Sequence, residues 1–350
     1  MRVVVTGAAG FIGSHVAEAA ARQGHEVVAV DAPARSLSPA TAAETWATLW
    51  SRPGITRVEA DLAAVPQEVL GDLLAGADAV VHLAGRPGVR TSWGRGERAV
   101  RRDNVLATRR LLASARSARR SPPRVVVASS SSVYGSATGP CHEDQPVHPE
   151  SPYARSKVEV ERLAIAAAGD GVPTVVLRLF SVYGPRQRPD MAFHRFVEAV
   201  LDHRPVPVLG DGSQRRAFTE VADVVRATLL ATTTALPPGI VINIGHPESV
   251  SLGHALSRIE RLTGRPVAVE RADAARGDVR RTWAATARAA DLLGWEAGTS
   301  LDAGLAGQLA WHLGRRQARA AGSGPGIDPV PAATLPPGAA ARDQELCRDR

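Results

Sequence analysis

Tyr153 and Lys157 stand four residues apart in YARSK, a spacing that puts a phenol and an ammonium on one helix face. A cation beside a phenol favours the ionised form and draws its pKa down from about 10, which makes a usable base. Lys157 is the only lysine among the chain's 42 lysines and arginines. Ser130, upstream in SSSSVYG, offers a hydroxyl that can assist such a base.

A second constellation suits an anion. Gly7, Gly10 and Gly13 punctuate TGAAGFIG directly after the apolar run Val3 to Val5. Gly7 permits a tight turn, Gly10 lets backbone approach a pyrophosphate, and Gly13 allows a helix to pack closely. Phe11 and Ile12 open that helix, whose amino terminus faces the anion. Asp31 ends the next apolar run, where a carboxylate accepts from both ribose hydroxyls and repels a 2′-phosphate, so NAD is favoured over NADP despite the nearby Arg35. Asp61 and Leu62 follow a third strand at the adenine end. Leu83, Ala84 and Gly85 of HLAG end a fourth, where the nicotinamide half should lie.

The elements that must position these residues alternate regularly. Runs at 2–5, 27–30, 79–83, 125–128 and 174–179 read as strands, separated by helical patterns at 14–23, 100–119 and 153–168. The fold class is α/β: a doubly wound parallel sheet of Rossmann type with a smaller carboxyl-terminal α/β region for substrate. Residues 1–180 are expected to form the NAD-binding domain, with 240–244 apolar enough to return to its sheet, and 181–315 the substrate-side region. Residues 316–350, rich in Pro, Gly and Ala, are expected to be a disordered tail.

Composition removes several alternatives. At 350 residues and 44% hydrophobic content the chain buries a substantial core. Cys141 and Cys347 are far apart and belong to no Cys/His cluster, so neither a disulfide framework nor a metal site is expected, and a reducing cytoplasm fits. The uncharged run 227–247 contains Pro237 and Pro238 and ends at Pro247, which argues against a membrane span, and the amino terminus reads as strand and turn instead of an export signal. The net charge of +7 reflects arginines spread along the chain, so a nucleic-acid partner is not expected. A P-loop would place Gly before the lysine, but Lys157 follows Ser156.

Together the motifs resemble the extended short-chain dehydrogenase/reductase superfamily, in its nucleotide-sugar epimerase and dehydratase branch. The resemblance covers about residues 1–315 and rests on TGAAGFIGSH, Asp31, HLAG, Asn104 in NVLAT, SSSSVYG, YARSK and VYGPRQRPDMAFHRF. It implies that Asn104 belongs to the NAD site, that Ser130 bonds the reacting sugar oxygen beside Tyr153, and that Lys157 also holds the nicotinamide ribose. Dehydratases of this branch carry an Asp/Glu pair, and UDP-glucuronate decarboxylases a Glu, where this chain has Ser131 and Ser132. Hydride removal and return then remains, which is epimerisation. Ser181 in FSVYG and Arg188 in RPDMAF look like those of UDP-glucuronate 4-epimerases, and the phosphate-binding Arg maps to Arg216. Asp278 matches a further substrate-side position, although the family's preceding Arg is Ala275 here, with Arg276 shifted by one.

The expected activity is therefore NAD-dependent 4-epimerisation of a UDP-sugar, UDP-glucuronate to UDP-galacturonate. The alternatives are a UDP-glucose or UDP-N-acetylhexosamine 4-epimerase, another nucleotide-sugar reductase or decarboxylase, or a non-enzymatic NAD sensor. The resemblance also implies a homodimer formed through paired helices, with Leu106, Leu111, Leu112, Val158 and Leu163 as contributors.

Overall fold

The computed structural model describes residues 1–50, 52–118, 121–273, 277 and 279–321. Seven parallel strands form its main sheet: β1 (Arg2–Thr6), β2 (Glu26–Asp31), β3 (Ile55–Glu59), β4 (Ala79–His82), β5 (Arg124–Ser130), β6 (Thr174–Leu179) and β7 (Ile240–Ile244). Their order is β7-β6-β5-β4-β1-β2-β3, so the winding reverses between β1 and β4. The central strands are nearly continuous Val runs because both faces are covered, which leaves no place for polar alternation.

One face is covered by α1 (Phe11–Arg22), flanked by α2 (Pro39–Trp50); the other by α3 (Gln67–Leu74) and the helical stretch made of α4 (Arg95–Val100), a π-helical segment (Arg101–Leu106) and α5 (Ala107–Arg116). Helix α6 (Pro152–Gly169) packs beside α5, and α7 (Ala192–Leu201) belongs to the smaller region. Helix α8 (Val221–Thr233) lies on the α1 face. The smaller region buries α7, α9 (Leu252–Thr263) and the strand Val206–Leu209 around Phe193, Phe196 and Ile259. Helix α10 (Ala287–Leu293) follows, and α11 (Leu301–Ala320) closes the described chain.

The structure corrects several expectations. Helix α1 starts at Phe11 and not at Ser14, because the glycine turn passes directly into helix. The helix expected at 100–119 begins at Arg95 and carries the π-helical segment, an extra residue per turn that periodicity does not reveal. The run 227–247 is divided between α8 and β7. Residues 316–320 are helical, not tail, held by ion pairs from Arg316 to Glu198 and Asp202 and from Arg319 to Glu44; residues 322–350 lie outside the described part. Leu111, Leu112 and Val158 face the chain's own core and are unavailable to a second subunit, whereas Leu106 is 40% exposed.

The turn after β1 depends on an absent methyl group. A Cβ on Gly13 would lie 2.1 Å from the Gly7 carbonyl oxygen, so α1 can sit against the turn only with glycine there. We expect Gly13→Ala to destabilise the protein by about 1–3 kcal/mol through overpacking, read as a lower Tm together with loss of bound NAD.

Candidate active site

The carboxyl ends of the central strands open onto a cleft of about 790 Å³ that runs from Asp31 and Asp61 at one end to Arg188 and Arg216 at the other. Gly7 has φ +73°, and a Cβ there would meet the Leu83–Ala84 backbone at 2.7 Å. Backbones β1 and β4 therefore come together at the switch point. His82 secures the junction, bonding Thr6 Oγ1 through Nδ1 at 2.8 Å and Thr108 Oγ1 through Nε2 at 2.9 Å. Burial pushes this imidazole down to about 3, so it serves as a neutral bridge.

Gly10 caps α1 without any side-chain acceptor, and the first turn contains no acid. The open amides of that turn, with Phe11, Ile12 and Gly13 on the cleft wall, suit a pyrophosphate. Asp31 also lines the cleft; its two oxygens accept from the Ala9 and Ala32 amides, each at 2.7 Å. Burial raises its pKa against these two bonds. Each oxygen retains a second lone pair for a ribose hydroxyl. These residues fit NAD.

Asp61 and Leu62 line the same end, but Asp61 is not free-standing. It accepts from Arg102 Nη2 at 2.6 Å and pairs with Arg35 Nε at 3.1 Å. Asp103 pairs with Arg86, Arg102 and Arg35 in turn. Burial raises the Asp61 carboxyl, but the Arg102 bond, the Ala63 amide and Arg35 outweigh it and hold the group below its ordinary value. This five-residue network was missed by sequence reading.

Leu83, Ala84 and Gly85 form the middle of the wall. Asn104 does not line it: its side chain is buried behind Gly85, where Oδ1 accepts the Arg86 amide at 2.6 Å and Nδ2 donates to Ser156 Oγ at 2.9 Å. Asn104 is thus a brace between the β4 loop and α6, made by the π-helical turn that carries it.

Ser151 caps α6, its Oγ accepting the Ala154 amide at 3.1 Å, and Pro152 occupies the first turn, so Tyr153 and Lys157 project from the helix's beginning. The Tyr153 phenol is hydrogen-bonded to Ser130. Ser132 Oγ in turn donates to Ser130 Oγ at 3.0 Å. Burial raises the phenol's pKa, opposed by the Ser130 bond and by the charge of Arg188. Lys157 Nζ donates to the Ala128 carbonyl at 2.8 Å, and burial pushes the ammonium down to about 8 against the pull of Glu161. The cleft thus disfavours both charges that the YxxxK reading assigned to this pair.

At the opposite end, Ser131, Ser132 and Ser181 line the cleft with Arg188 and Arg216. Ser181 has φ +25°, a left-handed backbone unusual for serine, and its carbonyl accepts the Thr219 amide at 3.2 Å. Arg188 makes a two-pronged pair with Asp190 at 2.9 and 3.0 Å. Asp278 lies outside the described residues.

Residues 3–245 match the model of the NAD dependent epimerase/dehydratase family, and the chain belongs to that family as an NAD-dependent enzyme. It is 36% identical over 313 residues to the "Uncharacterized UDP-glucose epimerase YtcB" of Bacillus subtilis, spanning 89% of this chain and 98% of that protein. Among solved structures it is similar to the Bacillus cereus UDP-glucuronic acid 4-epimerase in complex with UDP-glucuronic acid and NAD, with a TM-score of 0.85, 35% identity and coverage of 90% and 100% of the two chains. MoeE5 in complex with UDP-glucuronic acid and NAD gives a TM-score of 0.81 and 42% identity over 91% of this chain and all of that one.

Two outcomes test this site. Asp31→Ala should weaken NAD by about 1–3 kcal/mol, measured by titrating the cofactor into protein freed of it. Lys157 has a folded pKa below its ordinary value, so the folded state binds fewer protons than the unfolded one between about 8 and the ordinary lysine value of 10.5. Its destabilising effect is complete below that window and fades as pH rises through it. Lys157→Met, freed of NAD, should consequently melt a few degrees above the parent at pH 7, and the gap should close toward pH 10.5.

Proposed function

We propose that the protein is a UDP-glucuronate 4-epimerase. The observation that carries this reading is the hydroxyl-lined sugar end. Positions 131 and 132 present serines at the cleft, beside Ser181 and Arg188, with the Ser132–Ser130–Tyr153 chain of hydrogen bonds leading to the base. The likeness to proteins solved with UDP-glucuronic acid and NAD supports it.

Tyr153, as phenolate, takes the proton from O4 of the sugar, and Ser130 holds that oxygen while relaying hydrogen bonds to Ser132. NAD, held by the glycine turn after β1, Asp31 and Lys157, would supply the acceptor for the C4 hydride and its later donor. Lys157 keeps a cation near the base and offers donors to a ribose. The 4-keto sugar turns over in the cleft, and Tyr153 gives its proton back to O4 after hydride has reached the other face.

A 4-keto uronate is a β-keto acid, so its carboxylate must be kept from the geometry in which the breaking C–C bond aligns with the carbonyl π system. Ser131, Ser132 and Ser181 supply small donors for this, with Arg188 supplying positive charge. Arg216 and Asp278 complete the nucleotide side of this reading.

A second reading, UDP-glucose as substrate, is favoured by one feature: the Asp190 carboxylate on Arg188 reduces the positive charge available to a uronate. Incubation with UDP-glucuronate and with UDP-glucose, followed by NMR, separates the two; turnover of UDP-glucose alone would overturn the first. Tyr153→Phe should keep the fold and NAD while losing about 10²- to 10⁴-fold in turnover. Ser132→Ala and Ser181→Ala should release carbon dioxide in a larger share of turnovers, each 1.4 kcal/mol of lost restraint changing the partition about tenfold. We also propose a homodimer that uses the exposed Leu106 side of the helical stretch 95–116; a monomer by light scattering at micromolar concentration would refute it.

A further inference from the structure

A second cavity, of about 480 Å³, lies away from the Tyr153–Lys157 pair, with His194 and Glu198 of α7 and Arg315 of α11 on its wall. His194 and Glu198 are one helical turn apart and so share a face, and α11 brings His312 against them. The imidazoles are 6% and 0% exposed, and their ring centres are 4.6 Å apart in an edge-on arrangement.

Both rings are held by fixed partners. His194 Nδ1 lies 2.7 Å from the Gln187 carbonyl, which can only accept, so this nitrogen carries the proton and Nε2 keeps its lone pair. His312 Nδ1 lies 2.5 Å from Glu198 Oε1. His312 Nε2 is buried with no hydrogen-bond partner. Neutral imidazoles oriented by a carbonyl or carboxylate are the donor form that metal sites use.

We propose that His194, Glu198 and His312 bind a divalent transition-metal ion of the zinc class, joining α7 to α11. Their donor atoms lie within 4.8 Å of one another. Bonds of about 2.0–2.2 Å require donors roughly 3.4 Å apart, so the three side chains close in around the ion when it binds. The ion takes the unprotonated nitrogen of each imidazole and a Glu198 carboxylate oxygen, so no ring proton has to leave. Nearby Arg316 is paired with Glu198 and Asp202, while Arg315 and Arg319 are paired with Glu44, so carboxylates offset much of the local positive charge.

The site reaches the sugar end through one residue. Gln187, on the cleft wall, accepts the His194 amide on Oε1 at 2.9 Å, and the same oxygen accepts from Gln308 Nε2 at 3.0 Å, one turn before His312. An ion there would stiffen the loop from Gly184 to Asp190.

The full-length protein with its NAD, dialysed against a chelator, is titrated with Zn²⁺ by calorimetry and with Co²⁺ by visible absorption. The expected result is about one ion per chain, a cobalt spectrum of four-coordinate type and a higher Tm with Zn²⁺. His194→Ala and Glu198→Gln should each weaken binding at least tenfold. Should a variant fail to fold, the parent protein decides alone: no stoichiometric binding of either ion overturns the proposal. So does parental binding that survives in a folded His194→Ala/Glu198→Gln double variant, since it would reside on other histidines.

Discussion

The site depends on one buried ion pair. Arg178 on β6 donates to both oxygens of Glu161 on α6 at 2.9 and 2.8 Å, and both side chains are 6% exposed. Ser129 of β5 donates to the same carboxylate, while Arg178 also donates to the Tyr134 hydroxyl, which donates to Asn243 of β7. Three strands, the turn after Ser130 and the helix bearing Tyr153 and Lys157 are thereby tied to two charges. Removing one partner from such a pair typically costs about 3–5 kcal/mol, because the other is left buried and uncompensated. The distance from Ser130 to Tyr153 is set here, one helical turn beyond Lys157. The Glu161 charge also opposes the burial that lowers the lysine, so the same pair fixes position and tempers electrostatics.

The dinucleotide end is built on a different constraint, close backbone approach. Gly7 and Gly13 bring α1, β1 and β4 together, and open amides result where α1 begins. Around the Asp61 end of the cleft the alternating charges of Arg35, Asp61, Arg102, Asp103 and Arg86 join the β2, β3 and β4 loops to the π-helical segment. Most of these side chains are partly solvated, so individual pairs contribute little. Their connection in one network is what orders three loops at once.

The parallel sheet was legible because its Val runs are buried on both faces, and the glycine turn and YARSK were legible because their chemistry is carried by close neighbours in sequence. What was hidden depends on distant partners. Glu161 and Arg178 look like ordinary surface charges until folding buries them together, and the Arg35 network assembles from four separate segments. Asn104 fell in a motif that suggested the cofactor, yet one inserted residue per turn aims it at Ser156 and the Arg86 amide. The end of α11 lacked aliphatic periodicity because ion pairs to Glu44 and Glu198, and not apolar burial, hold it in place. Leu111 and Leu112 read as surplus apolar positions, but core packing between α3, α5 and the sheet consumes both.

The loop following β6 shows how a rigid cleft wall arises from residues that mostly point elsewhere. Arg186 has φ +64° and reaches outward to Glu18 of α1 with two bonds of 3.0 Å, while His15 bonds the Pro185 carbonyl at 2.9 Å. Gln187 is bound on the opposite side to His194 and Gln308, and Gln308 also accepts the Gly184 amide at 3.1 Å. Two independent anchors therefore fix the residues immediately before Arg188. Left-handed backbone at a non-glycine residue is unfavourable by about 1–3 kcal/mol and persists only where surroundings over-determine it, which these anchors do. Arg188 then has little backbone freedom, and Asp190 orients its guanidinium. The positive charge felt by Tyr153 is consequently delivered from a fixed place.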